Sequence, residues 1–426
     1  MHRVKLADVM NARSRRLGLS ENGKRWTTLV GCFLHFDFSF MLWVLFGALG
    51  IPLCEAAQLS PARKGLVVAM PILAGSLLRV PVGMLTDRFG GKRIGAALLG
   101  FLFLPLALAR ASSPSLGGLL MTGAMLGAAG ASFAVALPLA SRWFPPGRQG
   151  LAMGVAAAGN SGTVVTNLIA PRLAAAIGLS ATFGLAMLAL VVVLVAFVVL
   201  AHEPPRTARA RRPSLRDRDL RWLCAFYAIT FGGYIGLVSF LPLYLREAHG
   251  VTPVTAGYIT AGLALLGSGA RPIGGILSDR LGGGRVLAFL LVPIALAYGY
   301  EAAQPALPVM IALLAVSMLG LGLGNGAVFQ IVALRFPGEI GVVTGVIGAV
   351  GGLGGFMLPT LLGSVREYMG TFGDGFAVLA VLAGAAAAGV HMLVSGGGRW
   401  RARGDTAPTM TGVGAPAGAG GEGALP

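Results

Sequence analysis

Carboxylates are scarce in this chain. It has 16 Asp and Glu against 33 Lys and Arg in 426 residues, and charged residues of both signs make up only 12%, about half the share of a soluble domain. So little charge excludes an ordinary water-soluble fold. Cysteine is nearly absent too. Cys32, Cys54 and Cys224 give no metal-ligand spacing and leave one thiol over in any disulfide scheme. They read as small apolar fillers. No nucleophile, base and orienting group stand at believable spacing, so an enzyme is not expected, nor a metal, nor a cofactor. GLGLGNG, Gly320–Gly326, has the look of a nucleotide loop, but it sits in an apolar run with no strand before it. Residues 1–25 are basic and have no apolar core, which argues against a cleavable signal peptide.

Apolar residues and glycine fill the space that charge leaves. Hydrophobic residues reach 55%, and glycine accounts for 66 positions, about twice the usual share. Trp26–Leu49, Gly65–Leu85, Ala181–Ala201, Trp222–Leu245 and Phe376–Val394 are long apolar runs, each near the ~20 residues that span a ~30 Å hydrocarbon core. The fold class is all-α and polytopic, its environment a lipid bilayer, and twelve spans can be placed. Six lie at about 26–49, 65–86, 94–110, 115–141, 150–174 and 181–201. Six more lie at about 222–246, 255–278, 286–304, 307–333, 341–363 and 374–395. The expected order is a basic segment 1–25, a six-helix bundle 26–201, a charged and proline-rich linker 202–221, a second bundle 222–395, and a low-complexity tail 396–426.

Where the positive charge falls orients the chain. Of the 33 Lys and Arg, 25 lie in the terminal segments and even-numbered loops, six in or beside odd-numbered loops, and two within spans. The positive-inside rule puts both termini and the linker in the cytoplasm. The net charge of +17 is thereby a topology signal spread over seven short segments, and nucleic-acid binding is not expected. Short loops suit a multi-pass protein of a bacterial inner (plasma) membrane.

The two halves repeat each other. Arg79 and Arg271 are 192 residues apart, as are Asp87 and Asp279, and Phe144-Pro145 and Phe336-Pro337; Gln149–Val155 answers Ile340–Val346 at 191. Parallel duplication of six spans is a transporter architecture with its substrate site near the midplane, between the halves. Arg79 lies eight residues before the loop that starts at Asp87, about 12 Å into the core at 1.5 Å per residue. A charge there costs at least ~2.5–3.5 kcal/mol, so it faces protein or water and needs a partner. Asp37 is the sole carboxylate well inside a span, and Glu301 is near a span's end. Two arginines against one aspartate leave a centre short of negative charge, which an anionic substrate would supply. Guanidinium forks suit bidentate binding of flat or tetrahedral oxyanions. The alternative is a folding role, with Arg79 paired to Asp37 and Arg271 to backbone carbonyls. Gly341, Gly345, Gly348, Gly352 and Gly355 recur at steps of four and three, and so share one helical face. Gly150, Gly154, Gly159 and Gly162 do something similar in the fifth span. Such close packing leaves room for a small inorganic anion, not a sugar or drug.

GMLTDRFGGKR and GILSDRLGGGR, after spans two and eight, resemble the loop motif of the major facilitator superfamily. AGNSGTVVTNLIAP, Ala158–Pro171, and GVIGAVGGLGGFMLP, Gly345–Pro359, resemble the paired glycine-rich signatures of its nitrate/nitrite porter family. GLGNGAVFQIV, Gly322–Val332, and FDFSFMLW, Phe36–Trp43, are similar to that family as well. The resemblance covers nearly all of residues 26–395. It implies the major facilitator fold with two pseudo-symmetric bundles, and nitrate, with nitrite as a second substrate, clamped between Arg79 and Arg271. It also implies that Asn160 helps bind the anion and that Phe133, Tyr227 and Phe231 line the site. Without it, Phe133 and Phe231 read first as helix packing, and Tyr227 as an interfacial residue. In the signatures themselves, Gly159, Gly162, Gly348, Gly351, Gly352 and Gly355 are packing positions. Asp87-Arg88 and Asp279-Arg280 are implied to form cytoplasmic gate contacts between helix ends.

Coupling follows from charge. Bringing an anion into a negative-inside cell costs ~2.3 kcal/mol per 100 mV, so uptake needs protons or an exchanged anion. Proton symport with Asp37 as the coupling acid is the expected mechanism. Nitrate/nitrite antiport is the alternative, followed by an organic-anion exchanger and a nitrate receptor that does not transport. The chain is expected to act as a monomer.

Overall fold

A computed structural model of the chain describes residues 20–111, 115–145, 149–204, 217–336 and 340–395. Every regular element among them is helical. Lipid requires this of the backbone, because an unpaired N–H or C=O there finds no water to bind.

Twelve crossings result. α1 is Glu21–Trp43 with two short continuations, Leu45–Ala48 and Gly50–Ala56. α2 is Pro61–Phe89, α3 is Gly91–Ala111 and α4 is Leu116–Ser141. α5 is built from Gln149–Ala157, a 3-10 turn Ala158–Ser161 and the first part of Gly162–Leu200; α6 is the rest of that helix. The division falls at Gly178, with φ 82° and ψ 164°, a conformation that costs glycine little. The second half is α7 Arg218–His249, α8 Pro253–Leu281, α9 Gly283–Glu301, α10 Leu307–Arg335, α11 Ile340–Met369 and α12 Gly373–Ser395. Nine runs among the described residues are long and apolar enough to cross a membrane, and one of them, Ala152–Leu200, holds both α5 and α6. The more polar α1 and α8 complete the twelve.

Helix ends explain where the boundaries depart from the sequence reading. α1 starts at Glu21, five residues before the expected 26, because the Ser20 hydroxyl caps it, accepting from the Gly23 N–H at 3.2 Å. α7 starts at Arg218, four residues early, because the Asp217 carboxylate accepts from the N–H groups of Asp219 at 2.7 Å and Leu220 at 3.3 Å. A cap of this kind contributes about 1 kcal/mol. The break expected between 174 and 181 is confined to one non-helical residue, Gly178. Segment 1–19, residues 205–216 of the linker and the tail from 396 lie outside the described residues. Gly90 and Gly282, again 192 apart, end α2 and α8 with φ of 98° and 87°.

The six helices of each half form a bundle, and the two bundles meet along three seams. Gly47 of α1 packs on the Ser239 backbone of α7, Gly65 of α2 on the Pro359 carbonyl of α11, and Gly257 of α8 on the Asn167 carbonyl of α5. At the face away from the termini the seams are locked by polar bonds. Lys64 pairs with Glu247 at 2.6 Å and Arg246 with Glu55 at 3.4 Å. Glu367 accepts from the Ser60 hydroxyl at 2.6 Å and the Ala62 N–H at 2.8 Å.

Toward the face that carries the termini the seams open. On the glycine stripe of α11, a Cβ at Gly355 would meet Ile72 and Ile235, at Gly352 Ser76, and at Gly348 Arg79 and Phe133. One turn on, at Gly345, it would meet none of the described residues within 4 Å. α8 repeats this: Ser268 touches Asn160 of α5, while Gly275, two turns on, faces open space. The bundles therefore form a wedge that is closed at the far face and open at the terminal face, with its apex at the level of Arg79 and Arg271.

Candidate functional site

At that apex the two arginines converge. Arg79 is 1% exposed on α2. Its Nε donates to the Gly130 carbonyl of α4 at 3.1 Å, and a terminal nitrogen donates to the Gly348 carbonyl of α11. The second bond crosses between bundles. Its other terminal nitrogen is buried without a partner. Arg271 comes from α8, and its Nε and one terminal nitrogen are likewise buried and unpaired.

Aromatic rings hold these cations by their faces. The Arg79 Cζ is 5.1 Å from the ring of Trp43, 5.1 Å from Phe133 and 5.2 Å from Phe231. The Arg271 Cζ is 5.3 Å from Phe231 and 5.4 Å from Tyr234. Phe231 is thus shared, and the two guanidinium carbons are no further apart than the sum of their distances to it. Tyr227 stacks on Phe231 at 5.0 Å with planes 3° apart, and meets Phe329 edge-on at 5.2 Å. Ring quadrupoles attract a cation but fill none of its N–H vectors. A buried donor left unmade costs about 1–3 kcal/mol, so three of them in one place make this the candidate seat for an acceptor. Among the described residues, no ion pair involves either arginine.

Residues 31–359 match the family model described as Major Facilitator Superfamily. The chain belongs to the Major Facilitator Superfamily. It is 38% identical over 347 residues to a probable nitrate/nitrite transporter, NarK2, of Mycobacterium tuberculosis strain H37Rv, covering 77% of this chain and 86% of that one. It is 33% identical over 399 residues to a probable nitrate/nitrite antiporter, NarK1, of Thermus thermophilus, covering 85% and 90%. Within the superfamily these relatives put it in the nitrate/nitrite porter family. The same fold appears in the crystal structure of a bacterial homologue of the human lysosomal transporter Spinster, with a TM-score of 0.68, 18% identity, and coverage of 85% of this chain and 95% of that one. The chain is accordingly a polytopic membrane transporter.

Other residues singled out from the sequence fall in three groups. Asn160 sits on the 3-10 turn of α5, 1% exposed; its Nδ2 donates to Ser268 Oγ at 3.3 Å, and its Oδ1 has no partner. It is linked to the arginine pair through Ser268 and Tyr234, whose ring lies over Arg271. The signature glycines are points of close approach. Gly159 and Gly162 press on the Asp37 backbone, and Gly351 packs on the Tyr227 ring. Asp37 is not paired to Arg79, so that alternative is not what the structure shows. Its carboxylate accepts from the Ser161 hydroxyl at 2.7 Å, at the α1–α5 contact. The expected gate residues stay apart: Asp87 pairs with Arg142 inside its own bundle, Arg88 covers Phe89, and Asp279 and Arg280 are exposed at the end of α8.

Several contributors escaped the sequence reading. The Gly130 and Gly348 carbonyls that hold Arg79 leave no trace in side-chain patterns. Trp43 and Tyr234 had a signal that was not used: they are 191 residues apart, the register of the repeated signatures.

Proposed function

We propose that this chain carries nitrate, and nitrite, across the cytoplasmic membrane by alternating access, with the anion bound between Arg79 and Arg271. One observation carries the reading: two guanidinium groups, one from each bundle, meet at the apex of the wedge with unpaired N–H groups turned to no carboxylate. A planar oxyanion fits between planar forks, and binding it neutralises charge that would otherwise repel across the seam. Phe133 and Phe231 pack against the guanidinium groups, Tyr227 stacks on Phe231, and Asn160, with an unpaired amide oxygen, is joined to this cluster through Ser268 and Tyr234. The kinship with the Mycobacterium nitrate/nitrite transporter and the Thermus nitrate/nitrite antiporter supports the same substrates. Under the positive-inside rule the open face is cytoplasmic, so the structure corresponds to an inward-facing carrier.

Exchange of nitrate for nitrite is the coupling this geometry favours. Two unneutralised cations in a low-dielectric seam oppose reorientation of the empty carrier, whereas an exchanger always reorients with an anion in place. A second reading, proton-coupled symport, rests on Asp37, a half-buried carboxylate of α1 touching the first signature through Ser161 and Gly162.

Nitrate uptake into proteoliposomes separates them, with nitrite inside or an imposed inward proton gradient. Uptake that requires internal nitrite establishes exchange; uptake driven by the gradient alone establishes symport and overturns exchange. Nitrate binding without flux in either arm overturns transport itself, in favour of a receptor. Competition by formate or oxalate would move the substrate class to organic anions.

A further inference from the structure

Each arginine belongs to a larger unit that occurs twice. Trp43 of α1 lies over Arg79 at 5.1 Å, and its Nε1 donates to the Pro71 carbonyl of α2, the helix that bears Arg79, at 2.7 Å. Tyr234 of α7 lies over Arg271 at 5.4 Å, and its hydroxyl donates to the Ala264 carbonyl of α8, the helix that bears Arg271, at 3.3 Å. Both rings are buried, and both rest on a glycine. A Cβ at Gly75 would come to 2.7 Å from Trp43 Nε1, and one at Gly267, 192 residues later, to 2.8 Å from Tyr234 Cε2. The same device, an aromatic brace seated on a glycine and tethered to the arginine's own helix, thus serves each half.

The two copies differ in one respect. The Trp43 N–H bonds within its own bundle. The Tyr234 hydroxyl also meets Thr163 Oγ1 of α5, across the seam, at 3.1 Å, and Ser268 Oγ at 2.6 Å. Ser268 in turn accepts from Asn160 of α5 at 3.3 Å. A hydroxyl has one proton and two lone pairs, so with its proton on Ala264 the Tyr234 oxygen accepts from Ser268 and from Thr163, whose own proton is shared with the Asn160 carbonyl at 2.9 Å. When α5 and α8 part at the far face, the bond to Thr163 breaks, and the hydroxyl that tethers the brace loses a partner.

We propose that Tyr234 is a positioning residue that ties the setting of Arg271 to closure of the α5–α8 seam. Its ring steadies the guanidinium, and its hydroxyl makes that steadiness depend on contact with Thr163. Trp43 does the first task alone. This deepens the transport reading, on which it rests for the identity of the anion, but its conformational part is testable with no anion present.

The test uses full-length protein in lipid nanodiscs and hydrogen–deuterium exchange of peptides covering the far-face ends, residues 50–64 and 246–256. Tyr234→Phe keeps the ring and removes the hydroxyl; Thr163→Val removes the partner across the seam and is nearly isosteric. Each single variant is expected to raise deuterium uptake in both peptides severalfold, Tyr234→Phe at least as much as Thr163→Val because it also removes the bonds to Ser268 and Ala264, and adding Thr163→Val to Tyr234→Phe is expected to raise it no further, because the bond to Thr163 is already gone. Trp43→Phe should leave these peptides as in the wild type. Wild-type uptake in either seam variant, or additive effects in the double variant, would overturn the proposal. Exchange kinetics supply the second readout. Thr163→Val should change kcat about fivefold or more with KM within twofold, and an effect confined to KM would count against the tie. If no protein, wild type included, moves or binds nitrate while the uptake pattern holds, the substrate reading falls and the tie stands.

Discussion

At the scale of single residues, the arginines act by shape as well as by charge. Arg79 spends one fork edge on the Gly348 carbonyl and Nε on Gly130, which leaves a terminal nitrogen at a fixed angle for the anion. Lysine keeps the charge but places three donors on a flexible stem. Arg79→Lys or Arg271→Lys is therefore expected to lose at least one charge-assisted hydrogen bond, about 1.5–3 kcal/mol, or roughly 10- to 100-fold in nitrate affinity. Calorimetric titration of the purified variants with nitrate checks this, and affinity within threefold of wild type would argue against a bidentate seat. Asp37 sets a second test. Asparagine retains an oxygen for Ser161 but has no proton to cycle, so under exchange Asp37→Asn should keep nitrite-dependent nitrate flux within about threefold. Loss of flux only when a proton gradient drives it would restore symport.

Elements explain which parts of the protein were legible in the sequence. The spans were, because lipid leaves helices no competitor and twenty apolar residues have one way to cross. Their ends were less so, because Ser20 and Asp217 decide them by capping, a choice made by one side chain outside the apolar pattern. Arg79 and Arg271 stood out because a charge inside a span has to be explained. The carbonyls of Gly130 and Gly348 did not, since any residue has one; only the crossing of α2 with α4 and α11 selects them. The α11 stripe was visible as spacing, but its meaning, a graded contact that stops at Gly345, needed the partner helix. Gly352 is the tightest point of that contact, with the Ser76 side chain in the space a methyl would need. Overpacking of this kind costs about 1–3 kcal/mol. Gly352→Ala should lower the melting temperature and weaken nitrate binding, and adding Ser76→Gly should recover most of both; no recovery in the double variant would mean that the strain lies elsewhere.

A smaller element-scale effect concerns the strap after α6. The His202 N–H donates to Thr28 Oγ1 at 3.0 Å, its carbonyl accepts from Trp143 Nε1 at 2.9 Å, and the Glu203 carboxylate caps α3 through the N–H groups of Gly91 and Lys92 at 2.9 and 3.0 Å. Burial, then the nearby Lys92 and Lys24, hold the His202 imidazole below its ordinary value of 6.5. The folded state thus takes up a proton less readily than the unfolded one, so stability from this group is full above pH 6.5 and falls as pH drops below it. His202→Gln should remove part of the loss in melting temperature between pH 7 and pH 5.5; an unchanged pH slope would rule the strap out as its source.

At the scale of the whole molecule, alternating access requires that what is open at the terminal face closes while the far face opens. Two sets of residues face this requirement from opposite sides. The bonds Lys64–Glu247, Arg246–Glu55 and Glu367 to Ser60 and Ala62 hold the present state and have to break. Gly345 and Gly275 are free in the present state and have to become contacts across the seams, as Gly348 already is. A large side chain at Gly345 consequently has an open start at its Cβ here and obstructs the other state. Gly345→Leu is expected to fold and bind nitrate within about threefold of wild type, since no described residue lies within 4 Å of the added Cβ, yet to lose tenfold or more of its exchange rate. Hydrogen–deuterium exchange should show the far-face peptides slowed in this variant, the reverse of what loosening Tyr234 does. Wild-type turnover in Gly345→Leu would mean that the bundles do not close along the α2–α11 stripe, and the rocking axis would have to be sought at another seam.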